Sequence, residues 1–138
     1  MRPPQLARLS LILLCLPALS IGLIATAAPR TFFDDFPFFA SWVELLPPYN
    51  EHLVTDVGGL YLGFAVIFGF AAWTLERTLV RAAAWAWLLT AALHLGFHAG
   101  HLDGFSTADA IAELTSLAFL VVLPVLALWA AAKEPASA

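Results

Sequence analysis

Four stretches of this chain are apolar without alternation over roughly one helix length each, and the polar residues gather between them. The stretches cover 9–28, 54–75, 82–100 and 110–132. Each is close to the ~20 residues that an α-helix needs to cross a ~30 Å hydrocarbon layer. Strands of a membrane barrel alternate residue by residue, and these do not. The pattern predicts an all-α fold, a four-transmembrane-helix bundle forming a single integral membrane domain over 1–138. Pro124 falls inside the fourth stretch, where it kinks the helix and frees a carbonyl that a neighbouring helix has to shelter. The first stretch ends in Ala25-Thr26-Ala27-Ala28-Pro29, which also fits a signal peptide with a small-residue cleavage site. Its length fits a spanning helix better, and cleavage would leave three spans.

Between the first two spans, residues 31–53 place Phe32, Phe33, Phe36, Phe38, Phe39, Trp42 and Tyr49 among acids and Pro37, Pro47 and Pro48. Aromatic rings favour the headgroup level of a bilayer. The segment is therefore expected to lie on the outer interface as an extracytoplasmic roof, with a short helix around Phe39–Leu46. The last residues, Glu134 to Ala138, read as a frayed tail.

Composition supports a lipid environment: 62% of residues are hydrophobic and 12% charged, against about a quarter charged in soluble domains. The mean hydropathy of +0.87 agrees. A net charge of −4 without a Lys/Arg cluster gives no footing for nucleic acid. The single Cys15 lies in the first span, so no intramolecular disulfide and no CxxC motif exists; packing is its expected role.

Five of the six basic residues, Arg2, Arg8, Arg77, Arg81 and Lys133, fall on one side of the bundle, and Arg30 alone on the other. The positive-inside rule makes the majority side cytoplasmic. The chain is thus expected in the inner (cytoplasmic) membrane as a multi-pass protein with both termini cytoplasmic. Most acids and all four histidines then sit at or near the outer end.

His94, His98 and His101 are spaced by four and three residues on the third span. At 100° per residue they lie within about 60° of one another on a helix. His52 and Asp56 are four apart at the start of the second span, and Gly59 and Gly63 continue that face. Small residues let helices approach closely in membranes, so this face is expected to turn inward. Asp109 and Glu113 are four apart on the fourth span. His52, Asp56, His94, His98, His101 and Glu113 thus form the candidate metal site, with ligand types that suit zinc, iron or copper. Haem held by two facing histidines, or a proton-transfer path, is the lesser alternative. A buried polar network that fixes helix register accounts for the same residues without a cofactor. Tyr61 and the tryptophans Trp73, Trp85, Trp87 and Trp129 are read as packing or belt residues.

Two segments carry a resemblance: Pro48-Tyr49-Asn50-Glu51-His52-Leu53 followed by Asp56-Val57-Gly58, and His94-Leu95-Gly96-Phe97-His98-Ala99-Gly100-His101-Leu102-Asp103-Gly104. Over most of its length the chain resembles small four-span bacterial membrane proteins of uncharacterised function. That resemblance implies four helices with an outer polar cluster and no particular reaction. The histidine spacings are also similar to those of membrane di-iron desaturases and hydroxylases. Those carry around eight histidines on the cytoplasmic side, whereas this chain has four, so their activity is not carried over.

Two functions remain open from sequence. One is a metal-dependent membrane protein, acting on a lipid-soluble or small extracytoplasmic molecule. The other is a noncatalytic membrane subunit or self-associating homo-oligomer whose glycine and aromatic faces pack against a partner.

Overall fold

A computed structural model describes residues 1–46 and 48–133. Pro47 and the 134–138 tail named above lie outside the described residues. Five helices are found among them: α1 (Pro3–Ala27), α2 (Pro29–Asp35), α3 (Glu51–Thr74), α4 (Arg77–Ala99) and α5 (Thr107–Lys133). All but α2 are long and apolar enough to cross a membrane. They begin three to six residues before the apolar stretches do. Hydropathy marks only the apolar interior of a helix, while its first turn lies among the polar residues that satisfy its free N–H groups.

The first turns of α3, α4 and α5 are capped from side chains. Asn50 accepts from the Leu53 N–H at 3.1 Å and starts α3. The Glu76 carboxylate accepts from the N–H groups of Thr78 and Leu79, at 2.9 and 2.7 Å, and starts α4. Leu75, in the left-handed region at φ 52°, ends α3 immediately before it. Ser106 accepts from the Asp109 N–H at 3.1 Å and starts α5. Each cap satisfies donors that the helix itself leaves unpaired.

The segment after α1 departs from the expected short helix at Phe39–Leu46. The helix lies earlier, at Pro29–Asp35, because Pro29 is preorganised for the first helical position. Phe38, Phe39 and Ser41 have φ of 48°, 68° and 56°, and side-chain-bearing residues in that region cannot continue a right-handed helix. Trp42 and Val43 are half-buried beneath this stretch, while Phe38 and Phe39 point fully outward at 98% and 86% exposure. Arg30 binds the segment to itself: it pairs with Asp34 at 2.6 Å and lies over the rings of Phe33 and Tyr49.

Helix α1 is the hub. It packs along both α3 and α5, α4 packs on α5, and the α3–α4 seam is the loosest contact of the ring. The α1–α3 crossing is close because Gly22 and Gly58 carry no side chain. A Cβ on Gly22 would stand 2.9 Å from the Leu62 backbone nitrogen, and one on Gly58 the same distance from that of Thr26. The close approach was expected at Gly59 and Gly63, but a Cβ at either would meet nothing within 4 Å. The His52/Asp56 face is thus turned outward, because Gly58, Ala65, Ala71 and Ala72 are the buried small residues of α3. Two polar contacts fasten the same pair of helices: Cys15 Sγ lies 3.3 Å from the Ala65 carbonyl, and Arg8 Nε donates to the Ala72 carbonyl at 3.0 Å. Ala72 is in the last turn of α3, where carbonyls lack helical donors and attract a cation.

Trp87 of α4 is 2% exposed and closes the lower part of the α3–α4 seam. Tyr61, Phe64 and Phe68 of α3 meet it edge-on at centroid distances of 5.5, 5.1 and 5.3 Å, an arrangement that aligns ring edges with ring faces. Trp87 is thus core, whereas Trp73, Trp85 and Trp129 face outward as belt residues would.

Candidate functional site

Above the Trp87 cluster the four long helices flank a half-open cavity of about 1000 Å³. Its walls come from Leu13, Pro17 and Ile21 of α1, Val54, Val57 and Tyr61 of α3, His94, Phe97 and His98 of α4, and Glu113, Ser116, Leu117 and Leu120 of α5. The segment between α1 and α3 roofs it with Phe32, Phe33, Phe36, Trp42 and Val43. Among the described residues, one long-range hydrogen bond fastens the roof to the bundle, from Trp42 Nε1 to Asp109 Oδ1 at 3.1 Å. Asp109 is itself fixed by the Ser106 hydroxyl, which donates to its other oxygen at 2.5 Å. In the connection beneath the roof, Gly104 adopts φ +90° against the Leu45 side chain, a conformation that other residues rarely take.

The lining is almost wholly apolar, and its charged chemistry is confined to one place. His98 Nδ1 stands 2.6 Å from Glu113 Oε1, with both side chains withdrawn from solvent at 9% and 4% exposure. That separation is an ion-pair distance, yet the ring nitrogen is not aligned for a hydrogen bond, and Glu113 Oε2 has no protein partner. Buried charge is tolerated only when paired, and a buried oxygen without a donor costs free energy. His94 lies one turn below, with its ring centroid 4.5 Å from that of His98, and it is exposed along the cavity wall.

The six candidate residues do not form one cluster. His94, His98 and Glu113 come together at the cavity. His52 and Asp56 pair with each other at 3.3 Å on the outward face of α3, 87% and 58% exposed. His101 stands past the end of α4, stacked on Phe97 at 4.0 Å with its Nδ1 2.8 Å from the Phe97 carbonyl. Among the described residues no three His, Cys, Asp or Glu side chains are arranged to hold a metal ion. The proposed zinc, iron or copper shell separates because α3 turns its polar face away and Glu113 is engaged by His98.

Sequence reasoning missed the roof clasp of Trp42 and Asp109, and it favoured packing over a proton-transfer role for Tyr61, which also lines the cavity. The Ser106-Thr107-Ala108-Asp109 capping pattern was available as a signal for the fixed position of Asp109. Nothing in the sequence joins Asp109 to Trp42, 67 residues away.

No protein-family model, curated protein or solved structure matches this chain.

Proposed function

We propose that this chain is an integral protein of the cytoplasmic membrane, with both termini cytoplasmic, whose roofed cavity receives a lipid-soluble small molecule at the extracytoplasmic end of the bundle. The reading is carried by an apolar cavity, within the span of four apolar helices, that has one buried His98–Glu113 pair in its wall. Its volume lies at the upper end of the ~300–1,000 Å³ of small-molecule sites, which combine apolar walls with few polar groups. Intramembrane ionisable groups are costly, and they mark binding or transfer sites more often than bare packing. The positions of Arg2, Arg8, Arg77, Arg81 and Lys133 support the orientation.

Photolabelling of the reconstituted protein with an alkyl-diazirine hydrocarbon tests the cavity. Cross-links are expected at Val57 and Leu117, and Ser116→Trp should abolish them without changing labelling of the lipid-facing Leu89. Equal labelling of Val57 and Leu117 in both proteins would overturn the reading. Topology is tested in a Cys15→Ala background: a membrane-impermeant maleimide should reach Glu44→Cys in intact cells, and Lys133→Cys only after permeabilisation. The reverse pattern would invert the orientation.

A further inference from the structure

The two helix pairs of the bundle part in its roof-side half. Helices α1 and α3 stay together from Arg8 and Ala72 at one end to Gly22 and Gly58 near the other. Helix α4 holds α5 through Trp87 with Leu120 and His98 with Glu113. Between the pairs, closure stops at one level. On the α3–α4 side that level is the ring cluster of Trp87 with Tyr61, Phe64 and Phe68. On the α1–α5 side, the buried residues of α5 begin at Leu123, apart from the Glu113 that His98 engages. The cavity occupies the space above, with the 32–46 segment across its top. Its open flanks lie between the pairs, where lining residues are exposed: Leu16 of α1 and Phe119 of α5 at 59% and 51%, Leu53 of α3 and Phe97 of α4 at 60% and 43%.

Both flanks face hydrocarbon when the four helices span a bilayer. From His98 to Trp87, α4 rises about 16 Å at 1.5 Å per residue, and half of a ~30 Å hydrocarbon layer is about 15 Å. The cleft is thus one leaflet deep, with Trp87 as its floor near the midplane. Among the described residues no Lys or Arg lines it, so it offers a headgroup phosphate no cation. The His98 and Glu113 side chains face each other, 9% and 4% exposed, and present the cleft with little polar surface. An apolar space of this size left empty would forfeit dispersion contacts along its walls, and chains of matching length stand at both flanks. Resting on the cavity reading above, we propose that the cleft takes an acyl chain of a bilayer lipid from the roof-side leaflet, which enters sideways between the helix pairs. Its ester end lies at the edge of the roof and its methyl end on Trp87.

Full-length protein in nanodiscs is photolabelled with two phospholipids, one carrying a diazirine near the ester of its acyl chain and the other near the terminal methyl. The ester-proximal probe is expected to label Val54 and the methyl-terminal probe Leu120, so the labelled site shifts from the roof to the floor. Ser116→Trp should abolish both adducts, with labelling of the lipid-facing Leu89 as the control for folding. Labelling of Val54 and Leu120 without that order of depth, or in the reverse order, would overturn the proposal. Labelling of Val57 and Leu117 by the free hydrocarbon probe but of no cleft residue by either phospholipid would overturn it while leaving the cavity reading in place. A cleft labelled only in nanodiscs that hold one copy, and shielded where two share a disc, would assign it to a second copy and overturn the lipid assignment. Absence of cleft labelling by every probe would overturn both readings.

Discussion

Trp87 donates its indole N–H, at 3.2 Å, to the carbonyl of Leu120. That carbonyl would normally receive the N–H of the residue four positions later, which is Pro124 and has none. The proline in α5 and the tryptophan in α4 are thus two halves of one arrangement, in which the ring that seals the α3–α4 seam also satisfies the backbone that the proline frees. Trp87→Phe should destabilise the bundle by about 1–3 kcal/mol through the orphaned carbonyl, beyond any loss of packing. Pro124→Ala should recover part of that loss in the Trp87→Phe background, because alanine restores the helical donor. Thermal unfolding in detergent of the two single variants and the double variant measures the coupling. Strict additivity would show that the indole N–H contributes nothing.

The glycines divide by what their missing side chain would meet. Gly22→Ala and Gly58→Ala place a Cβ within 3.0 Å of backbone atoms across the α1–α3 crossing. Backbone cannot move aside as a side-chain tip can, so each should cost about 1–3 kcal/mol. Gly59→Ala and Gly63→Ala meet open space, and alanine is the better helix former by ~1 kcal/mol. These two should leave the melting temperature of the isolated protein unchanged or slightly raised. A lowered value for Gly63→Ala, with none for Gly58→Ala, would reverse the assignment of the α3 faces.

Glu76 gives a pH dependence whose sign is fixed. The N–H groups of Thr78 and Leu79 hold its carboxyl below the ordinary value of 4.5. A carboxyl depressed in the folded state stabilises fully above its unfolded value and loses that contribution as pH falls through the folded value. The difference in melting temperature between wild type and Glu76→Ala should therefore be constant near neutrality and shrink below pH 4.5. A difference that instead grew on acidification would contradict the capping geometry.

The helices were legible because long apolar runs have one physical meaning in a chain this poor in charge, and the shelter required by Pro124 followed from proline's missing donor. The facing of α3 was not legible. Gly58, Gly59 and Gly63 are all small, and helical spacing alone does not say which of two adjacent glycines meets a neighbour. An inward choice of Gly59 and Gly63 carried His52 and Asp56 inward with them, whereas Gly58 at the crossing turns both out. His94, His98 and Glu113 were legible as candidates because ionisable groups stand out against apolar helices. That only these three share the cavity depended on tertiary packing. The short helix of the roof was misplaced for a local reason: left-handed φ values at Phe38, Phe39 and Ser41 are not signalled by residues of those types.

The buried pair should show strong thermodynamic coupling. Glu113→Leu leaves a buried imidazole without its partner, and His98→Phe leaves a buried carboxylate without its own; removal of one member of such a pair costs about 3–5 kcal/mol. The second substitution removes the polar group that the first stranded, so the double variant should be more stable than Glu113→Leu or His98→Phe alone. His52→Ala and Asp56→Ala remove an exposed pair on α3, and an exposed ion pair is worth about 0–1 kcal/mol. Their effects should be small and nearly additive with those at His98 and Glu113. The same unfolding measurement reads both pairs. Equal coupling at the two would mean that burial does not distinguish them, and it would remove the physical ground for singling out the cavity pair.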